Sequence, residues 1–447
     1  MRGGAALEDW RLALTPELGA APHPAAPRAF PFSPQSGEKG NARGAVTRSN
    51  PMHARSSEPE LFDAVAPPPG DAYFLAPYGL FARQKIKAMV GRKMIVSSQT
   101  IDESQFQPAS LDLRLGREAY RVRASFLPGR NRSVLDHLES LKPERISLTG
   151  DGAVLEKGIV YIAALQERLD LLPSLSAAAN PKSSTGRLDI FTRLIVDGGE
   201  LFDEAPLGYS GPLYAEISPR SFSVRVREGS KLNQIRFRSR NSQQKSLSDF
   251  ALTDKDLRSR HAAAPLVDRD LDLRDGLILR VGLEGSPGQV VGYRAIKNSE
   301  VIDVDRPGAY PAAEFWEPIQ ARRDKRLILD PDEFYILASR ERVQIPPDLA
   351  AEMAPIDPAI GEFRVHYAGF FDPGFGHAAD GRPSARAVLE VRSRDVPFLL
   401  EDGQPVGRLV FEKLAERTDA LYGATAVSNY QGQGLKLSKH FRPFGEG

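Results

Sequence analysis

Leu111-Asp112-Leu113-Arg114 recurs as Leu271-Asp272-Leu273-Arg274, an offset of 271 − 111 = 160. Farther along, a constant spacing takes over: Tyr161 and Tyr335, Pro173 and Pro347, Pro181 and Pro355, Glu216 and Glu390, and Phe237 and Phe411 are each 174 apart. One such pair can arise by chance, but five at one spacing inside stretches of matching apolar pattern mark a duplication. A unit of this length is a whole domain and not a solenoid repeat. The chain therefore folds as two related copies, with 174 − 160 = 14 additional residues before the constant stretch of the second. Its 447 residues are ample for two cores.

Each copy reads as strand-rich. Ile86, Met89 and Val90 fall at i, i+3 and i+4 and predict a short amphipathic helix, followed by a strand at Met94-Ile95-Val96. Beyond it come short β-branched and apolar runs broken by Gly, Pro and Asp, such as Ile159-Val160-Tyr161-Ile162 and Leu213-Tyr214-Ala215-Glu216-Ile217. This pattern predicts an all-β barrel or sandwich with a few short helices. Residues 1–71 are rich in Ala, Pro, Gly, Arg and Ser and bury too little apolar surface to offset chain ordering, so a disordered extension is expected there. Met52 lies within it and is a candidate start. The expected division is 1–71 extension, 72–245 first copy, 246–420 second copy and 421–447 tail.

Lys plus Arg number 59 against 58 Asp plus Glu, so no bulk positive field draws the chain to nucleic acid or an anionic membrane. An anionic ligand must be held locally. The absence of cysteine removes disulfides, thiol nucleophiles and thiolate zinc sites. No run approaches the roughly 18 apolar residues of a membrane span. The N-terminus lacks the apolar stretch of a secretory signal, and a cytoplasmic location is the expectation.

The strongest chemical signal is Pro181-Lys182-Ser183-Ser184-Thr185-Gly186-Arg187. Two cations, three hydroxyls and a glycine within seven residues offer charge and donors to phosphate oxygens. A polar turn between strands is the bland alternative. At the 174 spacing the second copy has Ile356-Asp357-Pro358-Ala359-Ile360-Gly361, so the fold does not require the cluster and function accounts for it better. Glu216 stands inside an apolar run, where a carboxylate is costly unless paired or protonated, and a nearby Arg would keep it ionised and useful as a base. An exposed strand-edge Glu is the alternative. Glu390 keeps the carboxylate in a copy without the cluster, which suggests a structural use there. No phosphate-loop or dinucleotide fingerprint occurs.

Gln107-Pro108-Ala109-Ser110-Leu111-Asp112-Leu113-Arg114-Leu115-Gly116 resembles the N-terminal signature of the dCTP deaminases, within the dCTP deaminase and dUTPase superfamily. Ser183 to Arg187 resembles their catalytic loop, and Gly208-Tyr209-Ser210-Gly211-Pro212-Leu213-Tyr214-Ala215-Glu216 their catalytic hairpin. Phe371-Asp372-Pro373-Gly374-Phe375-Gly376 is similar to the same hairpin turn in the second copy. The resemblance implies two tandem dUTPase-like distorted β-barrels, the first catalytic and the second degenerate.

It further implies deamination of dCTP to dUTP and ammonia. Glu216 would be the general base, Ser183 would position the water and Arg187 would hold Glu216 ionised. Lys182 and Ser184 would contact the triphosphate, with Thr185, Gly186, Tyr214 and Ala215 lining the nucleotide and Asp203 meeting the sugar. Tyr422, Asn429, Tyr430 and Gln433 fall where the family has a tail that closes over the nucleotide; the family usually has Lys where Asn429 stands. No cofactor or protein-bound metal is implied, magnesium entering as the counter-ion of the triphosphate. A homo-oligomer, trimer or dimer, is implied, since related sites form at subunit contacts. Diphosphatase action on dUTP or dCTP is the rival reading, and a non-catalytic nucleotide sensor a third.

Overall fold

A computed structural model describes residues 70–240, 250–355, 369–393, 395–423 and 430–445, and residues 363–365 as backbone. The extension before residue 70, the segment Ile356–Gly361 and Asn429 lie outside the described residues. The fold is built mainly of strands. In the first copy these include β1 (Leu111–Leu113), β2 (Val160–Asp170), β3 (Leu175–Pro181), β4 (Ile190–Val196), β5 (Ser210–Pro219) and β6 (Asn233–Ser239). The second copy supplies β7 (Leu277–Arg280), β8 (Phe334–Val343), β9 (Leu349–Ala354), β10 (Ala385–Ser393) and β11 (Pro405–Lys413).

Each copy is built on two main antiparallel sheets. In the first, β6 lies between β3 on one side and β1 with Gly79–Leu80 on the other, while β5 lies between β2 and β4. The second repeats this with β11 joined to β7 and β9, and β10 joined to β8. The register repeats as well: Glu216 stands opposite Ile162 and Glu390 opposite Ile336, and 336 − 162 = 174. The expected helix forms at Arg83–Gly91, with Ile86 and Met89 buried on its inner face.

The sheets correct the first repeat. Leu111 pairs with Ile235, and Leu277 pairs with Leu409, which is 409 − 235 = 174 residues beyond Ile235. The counterpart of Leu111-Asp112-Leu113-Arg114 is therefore Leu277-Ile278-Leu279-Arg280, and Leu271-Asp272-Leu273-Arg274 lies in the connection before β7. A buried polar pair confirms the alignment. The Arg114 N–H donates to Glu167 at 2.8 Å and the Arg280 N–H to Glu341 at 2.9 Å.

Equivalent positions of the two copies meet. The fully buried guanidinium of Arg238 on β6 donates to Glu412 on β11 at 3.0 and 2.7 Å, and 412 − 238 = 174, as expected near a pseudo-twofold axis. Arg236 donates to the carbonyls of Ala351 and Phe371 and to Asp372, each at 3.0 Å. Such charges are tolerated out of water because each guanidinium meets a carboxylate, Glu412 for Arg238 and Asp372 for Arg236. One apolar cluster is common to both copies, joining Tyr161, Ile217 and Phe222 to Trp316, Phe334 and Ile336.

The tail departs from the loose flap its glycines suggest. Phe441–Arg442 pairs in parallel with Tyr310–Pro311. Phe441 packs against Phe222, Phe315 and Trp316, and Leu437 joins the same cluster.

Candidate active site between the copies

A cleft runs between the copies, and its first wall is the segment Lys182–Arg187. Ser183–Gly186 form one helical turn where β3 ends. The turn is tied to the strand beneath it by Lys182 N–H and Thr185 Oγ1, both donating to the Leu232 carbonyl at 2.9 Å. Lys182 pairs with the buried Asp112 of β1. Ser183 and Ser184 line the cleft, while Thr185 lines an adjoining hollow.

The opposite wall comes from the second copy. Phe371, Asp372, Phe375, Val388 and Glu390 line it, contributed by the hairpin leading into β10. Gly186 lies so close to Glu390 that a Cβ at position 186 would be 2.3 Å from Oε2 and 2.8 Å from Oε1. The glycine is required by this approach. Among the described residues no donor bonds the Glu390 carboxylate. Burial pushes its pKa well above the ordinary carboxylate range and the charge of Asp189 adds to this, while Arg187 acts the other way. A carboxyl so placed has a strongly perturbed proton affinity beside the turn, as a proton-transfer group requires.

Arg187 is locked by the tail of the same chain. Its guanidinium donates to Gln433 Oε1 and to the Lys436 carbonyl, both at 3.0 Å, and stacks on the Tyr430 ring at 3.9 Å from the centroid. Tyr422 packs on Phe375 and also lines the cleft.

The structure thus brings together Lys182, Ser183, Ser184, Gly186, Arg187, Tyr422, Tyr430 and Gln433, but with Glu390 and not with Glu216. Glu216 faces its own copy. It accepts from Arg193, its direct cross-strand neighbour on β4, at 3.1 and 2.6 Å, and Arg193 in turn reaches Ser125 Oγ at 2.9 Å. Arg193 also lies over the Phe202 ring at 3.4 Å. Arg187 therefore does not hold Glu216. Tyr214 packs beside Ile162 and Ile195, and Ala215 is buried in the shared core; neither lines the cleft. Asp203 sits in a turn at φ +61°, accepting the Leu194 N–H at 2.7 Å.

One physical reason covers these four. Across the pseudo-twofold, the intact loop of the first copy meets the hairpin of the second, while the hairpin carboxylate of the first copy turns to its own sheet. Val388, Leu389 and Glu390 stand 174 beyond Tyr214, Ala215 and Glu216. Asp372, and not Asp203, lines the cleft; burial raises its carboxyl, with Arg236 opposing. The hairpin residues Asp372 to Gly376 and the retained Glu390 were the signals in the sequence.

Fold and cleft define a two-copy dUTPase-like β protein in which a mixed cleft joins cations and hydroxyls of one copy to a buried carboxylate of the other. The chain matches the 2'-deoxycytidine 5'-triphosphate deaminase N-terminal domain over residues 77–241 and the C-terminal domain of the same family over 253–441. It is 31% identical to a "dCTP deaminase, dUMP-forming" of Kocuria rhizophila over 145 residues, 32% of this chain and 70% of that one. A dCTP deaminase of Natronomonas pharaonis is 29% identical, over 41% of this chain and 90% of its own. The crystal structure of 2'-deoxycytidine 5'-triphosphate deaminase from Agrobacterium tumefaciens is 51% identical, with a TM-score of 0.72, covering 76% of this chain and 99% of that one. The chain belongs to the dCTP deaminase family.

Proposed function

We propose that this protein deaminates dCTP to dUTP and ammonia with Glu390, not Glu216, as the general base. Glu390 takes a proton from water, the resulting hydroxide adds to C4 of the cytosine, and the carboxyl then delivers the proton to the departing amino group. Ser183 positions the water, and Arg187 stabilises the ionised carboxylate and the negative charge that develops at the ring. Lys182 and Ser184 hold phosphate oxygens, Asp372 meets the sugar, and Tyr422, Tyr430 and Gln433 close the cleft. Magnesium accompanies the triphosphate, and water activation rests on the carboxylate. We place the protein in the cytoplasm, as a homo-oligomer.

The observation that carries this reading is the approach of the Ser183–Arg187 turn to a buried Glu390. The test is to incubate the purified chain with dCTP and follow ammonia and dUTP. Turnover should survive a zinc chelator, and Glu390→Gln should lower kcat by roughly a hundredfold or more, the scale of a lost proton-transfer group. Full turnover in that variant would remove Glu390 from the mechanism. The name of the Kocuria relative favours a second reading, in which pyrophosphate is also released to give dUMP. Pyrophosphate measured beside ammonia separates the two.

A further inference from the structure

Lys439 lies outside the motifs discussed above, yet it lines the same cleft as Lys182, Ser183, Arg187 and Glu390. It also lines the adjoining hollow together with Lys182 and Lys231. Its backbone is fixed on both sides. The Lys439 N–H donates to the Tyr430 hydroxyl at 3.2 Å, Ser438 Oγ donates to the Ser184 carbonyl at 2.9 Å, and His440 Nε2 lies 2.8 Å from the Val304 carbonyl. The tail thus delivers a cation to a defined place and does not trail it through solvent.

The two carboxylates that act on Lys439 already have partners. Asp112 is already taken by Lys182, and Asp305 accepts from Ser230 Oγ at 2.5 Å and Arg227 at 3.3 Å. Lys231 donates to Ser104 Oγ at 2.9 Å. Among the described residues the Lys439 ammonium has neither a hydrogen bond nor an ion pair. Burial lowers its pKa and repulsion from Lys182 and Lys231 adds to this, while Asp112 and Asp305 act the other way. A half-buried ammonium beside two other lysines is unfavourable in the free protein, and a polyanion in the cleft relieves both the desolvation and the repulsion.

We propose that Lys439 is a phosphate-binding residue, which with Lys182 grips the phosphate tail of the nucleotide and so selects triphosphate over shorter forms. This rests on the nucleotide reading above and adds a residue to it. Lys439 then contributes to binding and not to proton transfer.

The test uses the full chain, Lys439→Gln and Lys439→Arg, with calorimetric binding of inorganic tripolyphosphate and of deoxycytidine beside steady-state turnover of dCTP. Lys439→Gln should weaken tripolyphosphate binding and raise KM for dCTP by about ten- to a hundredfold, the scale of one charge-assisted hydrogen bond, with kcat within about threefold of wild type. Deoxycytidine binding should stay as in wild type, and Lys439→Arg should recover most of the lost affinity. Unchanged tripolyphosphate binding in Lys439→Gln would overturn the proposal, as would an equal loss for deoxycytidine. A wild type that releases no ammonia would sink the deaminase reading alone, since the tripolyphosphate comparison still decides the role of Lys439.

Discussion

Glu216 and Glu390 occupy one position of a repeated hairpin and differ in what faces them. Glu216 has a guanidinium 2.6 Å away on the next strand of its own sheet, which fixes it as half of a structural ion pair. Among the described residues Glu390 has no bonded donor, and it is buried, so its ionised form is the unstable one. Glu216→Gln should therefore leave kcat within about threefold of wild type while lowering stability by about 1–3 kcal/mol, the cost of stranding a partly buried charge. Denaturant unfolding and ammonia release check both halves. For Glu390 the sign runs the other way. A raised carboxyl pKa means that folding favours the protonated form, so its stabilising contribution is full in acid and is lost as pH rises through the folded value. Glu390→Gln, which carries no charge at any pH, should melt higher than wild type at pH 8, by roughly 2 °C or more, with the gap closing toward acid. The same elevation predicts that wild-type kcat/KM falls as pH drops through this raised value, above the usual carboxylate range, because the base must be ionised to act.

At the scale of the element, the Ser183–Gly186 turn and the β10 hairpin meet over a glycine whose backbone is ordinary for a helix, so alanine at 186 offends only Glu390. Gly186→Ala should cost on the order of tenfold or more in kcat/KM, as a displaced carboxylate loses its geometry. Combined with Glu390→Gln it should cost little beyond Glu390→Gln alone. Additive losses in that double-mutant cycle would show that the two residues act separately. The strands were readable because each copy repeats the same apolar alternation, and the Arg83–Gly91 helix because its inner residues keep helical spacing. What failed was a pairing. Leu271-Asp272-Leu273-Arg274 matched by residue type, whereas the partner strand β11 selects Leu277-Ile278-Leu279-Arg280, and alternation alone does not reveal which nearby apolar run a strand will accept. The choice between the two glutamates was legible in part. Arg193 precedes Glu216 on a neighbouring strand of the same copy, so the sequence held a cation able to occupy Glu216 as half of a structural ion pair.

On the scale of the whole molecule, duplication was plain in the sequence, but the crossing of loop and hairpin between copies was not, because spacing along a chain carries no information about which copy a hairpin faces. Contact of Arg238 with its own counterpart Glu412 supplies that information. The same contact explains why a single chain suffices to unite the catalytic turn, the carboxylate and the tail. The tail was legible as a closing segment through Tyr430 and Gln433, while its glycines concealed that it ends in core residues. Phe441 lies against three aromatic rings from both copies, and Ser438 ties the tail to the turn that carries Ser183. Phe441→Ala should then lower stability by about 3–5 kcal/mol, the usual range for emptying a buried aromatic site. Because Lys436 and Gln433 hold Arg187, loosening the anchor should also raise KM for dCTP, under conditions where circular dichroism still reports a folded chain. A chain ending at Gly434 should show both losses more strongly. If that shortened chain melts with the wild type and only its nucleotide affinity falls, the segment is a lid resting on a finished core; a joint fall in melting temperature and affinity identifies the tail as the piece through which the two copies and their shared cleft are stabilised together.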